Sequence, residues 1–346
     1  MTPPVDALTD ALDAPRRAGR WHPDLLPGYE CRTLHLGPDP DGEGDVAATL
    51  VRRPVAAGEE VRGAVLYVHG FCDYFFQREL ADFFAERGFA FYALDLRKCG
   101  RSRRPGQTAH YVSDLALYDA ELDRALASVR EETGQRVLLA AHSTGGLVLP
   151  LWLHRRHVEA LAAGEVWGDR VAGLILNSPW FDLQGAPIMR SLGTQAIRAV
   201  AQVRPLEPMK LPPGGAYGSS LHVSANGEWD YDLRFKPIDS FPVTYGWINA
   251  IRRGHARLHQ GLDVGVPALV LRSGATRFAR AYTPDVDSAD AVLDVEHIAR
   301  WAGCVGGALT SLPIEGARHD VFLSREEPRR AAYAAVDAWL RAWVPA

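Results

Sequence analysis

The stretch Val137-Leu138-Leu139-Ala140-Ala141-His142-Ser143-Thr144-Gly145-Gly146-Leu147-Val148 decides how the rest of the chain is read. An apolar run of strand length breaks at His-Ser-Thr, two glycines follow, and an apolar helical stretch resumes at once. A buried strand turning sharply into a helix, with a serine at the apex, has this pattern. It approximates the elbow Gly-x-Ser-x-Gly, where a strained turn holds the serine Oγ clear of a sheet and only small residues fit two positions either side. Here the frame is Ala141-x-Ser143-x-Gly145, and alanine, though not glycine, is small enough to serve. An ordinary strand–helix turn that happens to contain a serine fits the stretch alone equally well, so its surroundings must decide.

On either side of this stretch, Gly63–Val68, Phe89–Leu94 and Val171–Leu176 are further continuous apolar runs of the kind buried on both faces of a sheet. Helical spacing separates them. Leu80, Phe83 and Phe84 mark a helix within 77–87, and Leu115, Tyr118, Leu122, Leu126 and Val129 mark another that ends near Gly134. This alternation predicts an α/β fold with a mostly parallel central sheet and helices on both faces. Upstream, Cys31–Leu36 and Asp45–Arg52 flank a turn-rich spacer and read as a strand pair. Residues 1–28, punctuated by prolines, read as a poorly structured or loosely docked arm. Downstream, the alternation lapses over residues 183–262, which hold seven prolines from Pro187 to Pro242 and helical patterns at 188–203 and 243–260. We read this segment as an inserted, mostly helical lid. The core is then 29–182 and 263–346, completed by strands at 266–272 and 308–314 and a helix from Glu326 to Trp343.

The 346 residues are 47% hydrophobic and 23% charged, enough for a sizeable core, with a net charge of −4. That charge gives no cationic face for nucleic acid. No apolar run approaches a membrane span, and no secretory h-region opens the chain. Cys31, Cys72, Cys99 and Cys304 have no metal-like spacing and read as free thiols of a reducing, cytoplasmic protein.

A serine hydroxyl needs a general base, and a histidine base needs a carboxylate to fix its tautomer. His319, in the loop after the last strand, fits the base, whereas His154, His157, His255, His259 and His297 fall in helical stretches. His142 flanks the serine as a wall residue. For the acid, the order serine, acid, histidine favours Asp290 after strand 266–272, with Asp287 next. Asp294 also suits a helix start, and Asp182 follows an earlier strand. His69-Gly70-Phe71 supplies the loop for an oxyanion hole, built from the backbone N–H groups of Phe71 and Thr144, with Gly70 allowing close approach.

Together, His69-Gly70-Phe71, the run Asp95 to Ser102, the elbow and Gly316-Ala317-Arg318-His319 resemble the α/β-hydrolase superfamily. Within it they are most similar to the lysophospholipase and monoacylglycerol-lipase-like branch, also described as serine aminopeptidase-like. The resemblance spans roughly 60–180 and 264–343. The chain departs from it at Ala141 and at Lys98-Cys99-Gly100-Arg101-Ser102, where the family commonly has Gly-His-x-Gly-x-Ser. The resemblance implies an α/β-hydrolase fold and hydrolysis of a small-molecule acyl ester through an acyl-serine intermediate, with no metal or organic cofactor. Trp180, just before the lid, and Trp229 within it are candidates to line an acyl site. Two other readings stand beside it. One is a proline iminopeptidase-like enzyme with Glu228, Asp230 or Asp232 binding a substrate amine. The other is a non-catalytic binding protein on the same fold.

Overall fold

The computed structural model describes residues 19–344 except 57, 185–194, 196, 212 and 213. Gly63–Val68, Phe89–Asp95, Val137–His142 and Val171–Asn177 become strands in which every residue is buried. Pleating sends alternate side chains to opposite faces. Leu139 and Ala141 therefore join one core, and Leu138 and Ala140 the other. In chain order the described strands are β1 (His22–Pro23), β2 (Glu30–Pro38), β3 (Asp45–Arg52), β4 (Gly63–Val68), β5 (Phe89–Asp95), β6 (Val137–His142), β7 (Val171–Asn177), β8 (Ala268–Ser273) and β9 (Leu309–Ile314). They form one nine-stranded sheet in the order β1-β2-β3-β5-β4-β6-β7-β8-β9. Pairing is antiparallel from β1 to β3 and between β3 and β5, and parallel from β5 across to β9.

Besides the helical stretch at 197–203, helices among the described residues include α1 (Arg78–Ala85), α2 (Asp119–Thr133), α3 (Gly145–Ala163), α4 (Ala216–Leu221), α5 (Tyr245–Leu258), α6 (Val295–Trp301) and α7 (Glu326–Trp343). Leu122 of α2, Leu151 of α3 and Ile298 of α6 pack on one face of the sheet. Phe84 of α1 and Leu340 of α7 pack on the other. Of the helix expected over 188–203, residues 197–203 are helical and most of the earlier part lies outside the described residues. The second helix expected in the lid, α5, buries Trp247, Ile251 and Leu258 in the same core as α3. Among the described residues, no helix is long and apolar enough to cross a membrane.

The start of the chain differs from expectation. Residues 1–18 lie outside the described residues, but 19–28 are held firmly rather than loosely docked. His22–Pro23 pairs with Glu30 and Cys31, and Trp21 lies beneath the guanidinium groups of Arg32 and Arg52, at 4.6 and 4.1 Å. Asp24 takes Arg101 through both carboxylate oxygens at 2.7 and 2.8 Å. Arg101 also binds Asp95 at 2.9 Å, and all three side chains are essentially buried. A proline-rich segment gives no periodic signal of such docking, because the tie is one ion cluster rather than an apolar stripe. Arg101→Met leaves two buried carboxylates without their cation and is expected to cost about 3–5 kcal/mol. Denaturant unfolding measures this, and a loss below about 1 kcal/mol, the range of an exposed pair, would contradict it.

Candidate active site

Ser143 sits on the turn between β6 and α3 with φ +51°, a left-handed value that a non-glycine residue adopts only under constraint. The constraint is visible in its backbone bonds. Ser143 N–H donates to the Asn177 carbonyl at 3.0 Å, and the Ser143 carbonyl accepts from Gly146 and Trp180. Glycine at 145 is a steric requirement, since a Cβ there would lie 2.5 Å from the His69 carbonyl oxygen. Gly145→Ala is therefore expected to destabilise the fold by about 1–3 kcal/mol and to lower turnover with it. A normal unfolding curve for that variant would show that the turn has more room than this. Gly70 faces the serine itself: a Cβ there would be 2.9 Å from Ser143 Cβ. Ala141 is 1% exposed and packs into the core, so a methyl group is accommodated where the elbow pattern has glycine.

His319 is 2% exposed in the loop between β9 and α7, and two hydrogen bonds define its ring. Its Nδ1–H donates to Asp290 Oδ2 at 2.8 Å, and its Nε2 accepts from the Ser143 hydroxyl at 3.0 Å, the tautomer following from these partners. Asp290 is fully buried, and its other oxygen accepts from Val292 N–H at 2.8 Å and Leu293 N–H at 2.7 Å. The long segment after β8 does not displace this acid. Thr276 and Asp290 pair as an isolated bridge, with Asp290 N–H bonded to Ala275 and Arg277 N–H to Asp290, so the loop is pinched closed at its base.

The other carboxylates weighed for the acid are engaged elsewhere. Asp287 binds Arg318 at 2.7 Å, Arg325 at 2.7 Å and the Tyr282 hydroxyl at 2.9 Å. Asp294 accepts from Glu296 N–H and caps α6. Asp182 accepts from the Trp301 indole.

The loop after β4 is fixed by His69, whose Nδ1–H donates to the Gly70 carbonyl at 2.7 Å while Nε2 accepts from Leu96 N–H at 3.1 Å. Among the described residues, neither the Phe71 nor the Thr144 N–H has a protein acceptor. Both residues line a cavity of about 770 Å³ together with His142, Ser143, His319, Trp180 and Trp247. Burial pushes the His142 imidazole down to about 4, against the pull of Asp320, so the ring is neutral at pH 7. Its Nδ1 meets the Asn177 carbonyl at 3.2 Å. Trp229 is not brought to the cavity. Its indole N–H donates to the Leu323 carbonyl at 2.9 Å and its ring lies beneath Arg329, so it anchors its own segment to the loop before α7.

Two residues without a role assigned from the sequence hold the site together. Asn177 ends β7, accepts Ser143 N–H on its carbonyl, and reaches Asp320 and Val321 with its amide at 2.6 and 3.1 Å. It thus ties the serine turn to the histidine loop. Arg318 is fully buried beside His319 and binds Asp287, Glu228 and the Leu323 carbonyl, joining the segments that carry His319, Asp287 and Glu228. A polar residue closing an apolar strand, and a cation next to the candidate base, were the available signals.

A sheet of this strand order, with a serine after β6, an acid after β8 and a histidine after β9, has the architecture of the α/β hydrolases. The chain belongs to the family described as serine aminopeptidase, S33, which matches residues 59–322. Among solved structures it is similar to a monoglyceride lipase from Saccharomyces cerevisiae in complex with a substrate analogue. That match has 17% identity and a TM-score of 0.59, covering 88% of this chain and 93% of that one. A monoacylglycerol lipase from Paleococcus ferrophilus matches at 19% identity and TM-score 0.57, over 82% and 96% of the two chains. A thermostable carboxyl esterase from Bacillus coagulans matches at 14% and 0.61, over 91% and 99%. No curated protein matches the sequence.

Proposed function

We propose that the protein is a serine hydrolase that cleaves a carboxylic ester through an acyl-serine intermediate. The observation that carries this reading is the unbroken buried relay Ser143–His319–Asp290 opening onto the cavity. In this mechanism Ser143 Oγ attacks the ester carbonyl carbon while His319 Nε2 takes its proton. The oxyanion is held by the N–H groups of Phe71 and Thr144, preorganised and without a competing acceptor. Collapse breaks the bond to the alcohol oxygen, which leaves with the proton from His319. Water then repeats the sequence, giving the carboxylic acid and free Ser143. Asp290 keeps Nδ1 protonated throughout and stabilises the imidazolium.

The apolar wall of Phe71, Trp180, Trp247 and Leu293 suits an acyl chain, which supports an acyl ester such as a monoacylglycerol or lysophospholipid. The similar lipase and esterase structures agree with that substrate class. The four cysteines are free thiols, which supports a cytoplasmic setting. The iminopeptidase reading finds less support. Glu228 is bound to Arg318 and Arg325, Asp232 is bound to Arg234, and Asp230 is 90% exposed; none of the three lines the cavity. A non-catalytic binding role would leave the intact relay without a purpose. Turnover of nitrophenyl esters of graded chain length, set beside aminoacyl arylamides, tests the proposal. Esters are expected to be cleaved well and arylamides poorly; the reverse order would replace this reading with a peptidase.

A further inference from the structure

Phe71, which brings one of the two oxyanion N–H groups, opens a stretch, residues 71–77, that belongs to neither strand nor helix. The next residue, Cys72, has φ +51°, a left-handed value that a cysteine keeps only when its surroundings over-determine it. On the near side of the stretch His69 is fixed by its two hydrogen bonds. On the far side Phe75 N–H donates to Asp95 at 3.0 Å, and the Phe75 carbonyl accepts from Arg101 at 3.0 Å. Between these anchors Cys72, Asp73 and Tyr74 are each met by one segment from elsewhere in the chain, residues 232–237.

The Cys72 thiol lies 3.8 Å from the Pro237 carbonyl, and the Tyr74 hydroxyl accepts from Asp232 N–H at 2.8 Å. Phe235 sets its ring edge-on to Tyr74, centroids 5.2 Å apart. The strongest tie is charged: Lys236 Nζ donates to Asp73 Oδ1 at 2.8 Å. Both side chains are buried, where solvent ions screen the pair little. Burial works against charge on both groups, but each holds the other ionised: Asp73 is kept below the usual carboxylate range and Lys236 above the usual amine range. Apolar side chains of similar volume would stabilise the fold as well as such a pair does. What the pair supplies is a fixed distance between residue 73 and segment 232–237.

We infer that Asp73 and Lys236 are positioning residues for the oxyanion hole: their ion pair holds Cys72 in its left-handed conformation and so keeps the Phe71 N–H in place beside Ser143. They act through Phe71 and not on the ester itself. This rests on the ester-hydrolase reading above and adds to it a part for segment 232–237 in the chemical step. An oxyanion donor is met fully only in the transition state, so displacing it lowers kcat and leaves KM little changed.

The double variant Asp73→Asn with Lys236→Met removes both charges together and leaves no lone buried ion. On a nitrophenyl ester its kcat is expected to fall about 10- to 100-fold, with KM within about twofold of the wild type. An alkyl trifluoromethyl ketone adds to the serine and places an oxyanion in the same hole, so its inhibition constant should rise by a similar factor. Glycine takes left-handed φ values freely, so in a Cys72→Gly background the kcat loss from the double substitution should shrink several-fold. Asp73→Glu keeps both charges but lengthens the tie by one methylene, and kcat should fall several-fold with KM flat. An unchanged kcat in the folded double variant overturns the inference. So does a kcat loss with no weakening of the ketone, or one just as large in the Cys72→Gly background. If the double variant does not fold, an unchanged kcat in Asp73→Glu overturns it instead. In each of these cases Ser143-dependent cleavage by the wild type still stands; if the wild type neither cleaves the ester nor is inhibited by the ketone, the ester reading fails and this inference with it.

Discussion

Ser143→Ala and His319→Ala are each expected to lower kcat/KM on a nitrophenyl ester by about 10³-fold or more, and the double variant to lose little beyond either. The reason is that the two groups act as one device. Without His319 the Ser143 hydroxyl has no acceptor for its proton, and without Ser143 the imidazole at 3.0 Å has nothing to activate. Residual turnover would come from the cavity and the oxyanion donors alone. Losses that multiply fully in the double variant would mean that the two residues contribute independently, and the proposed mechanism would be wrong.

Asp290→Asn is expected to cost on the order of 10³–10⁴ in kcat with the fold intact. Asp290 Oδ1 can stay an acceptor for Val292 and Leu293 N–H in the amide, which leaves the NH₂ facing His319 Nδ1. The imidazole must then carry its proton on Nε2, pointed at the serine, where it cannot act as a base. Asp287→Asn is expected to be far milder, because Asp287 touches Arg318, Arg325 and Tyr282 but not the imidazole. Kinetics on the two folded variants decide it, and equal losses would show that Asp290 is not the acid.

Much of the framework was legible because its signals are local. A strand buried on both faces has to be apolar throughout, so β4, β5, β6 and β7 stand out within a residue of their observed ends. Ser143, Asp290 and His319 could be picked by their places after three strands, and the structure brings these three side chains into one hydrogen-bonded line. What the sequence does not show is pairing between distant loops. Nothing local marks Arg318 as the partner of Asp287 and Glu228, or Lys236 as the partner of Asp73. The docking of Asp24 on Arg101 belongs to the same class, since a single buried ion pair leaves no periodic trace. Trp229 illustrates the converse error. An aromatic in an irregular segment has no face to read, and here its ring packs by Leu323 and Arg329 instead of lining the cavity. The departure at Lys98 is also a matter of distant partners: its ammonium is fully buried between Asp39 and Glu43 of the β2–β3 connection.

Intact-protein mass spectrometry after reaction with a fluorophosphonate reads out whether Ser143 is an activated nucleophile. The expected result is a single adduct, mapped to Ser143, lost in folded Ser143→Ala and strongly slowed in folded His319→Ala. An unlabelled wild-type protein, or an adduct that persists in Ser143→Ala, would contradict it.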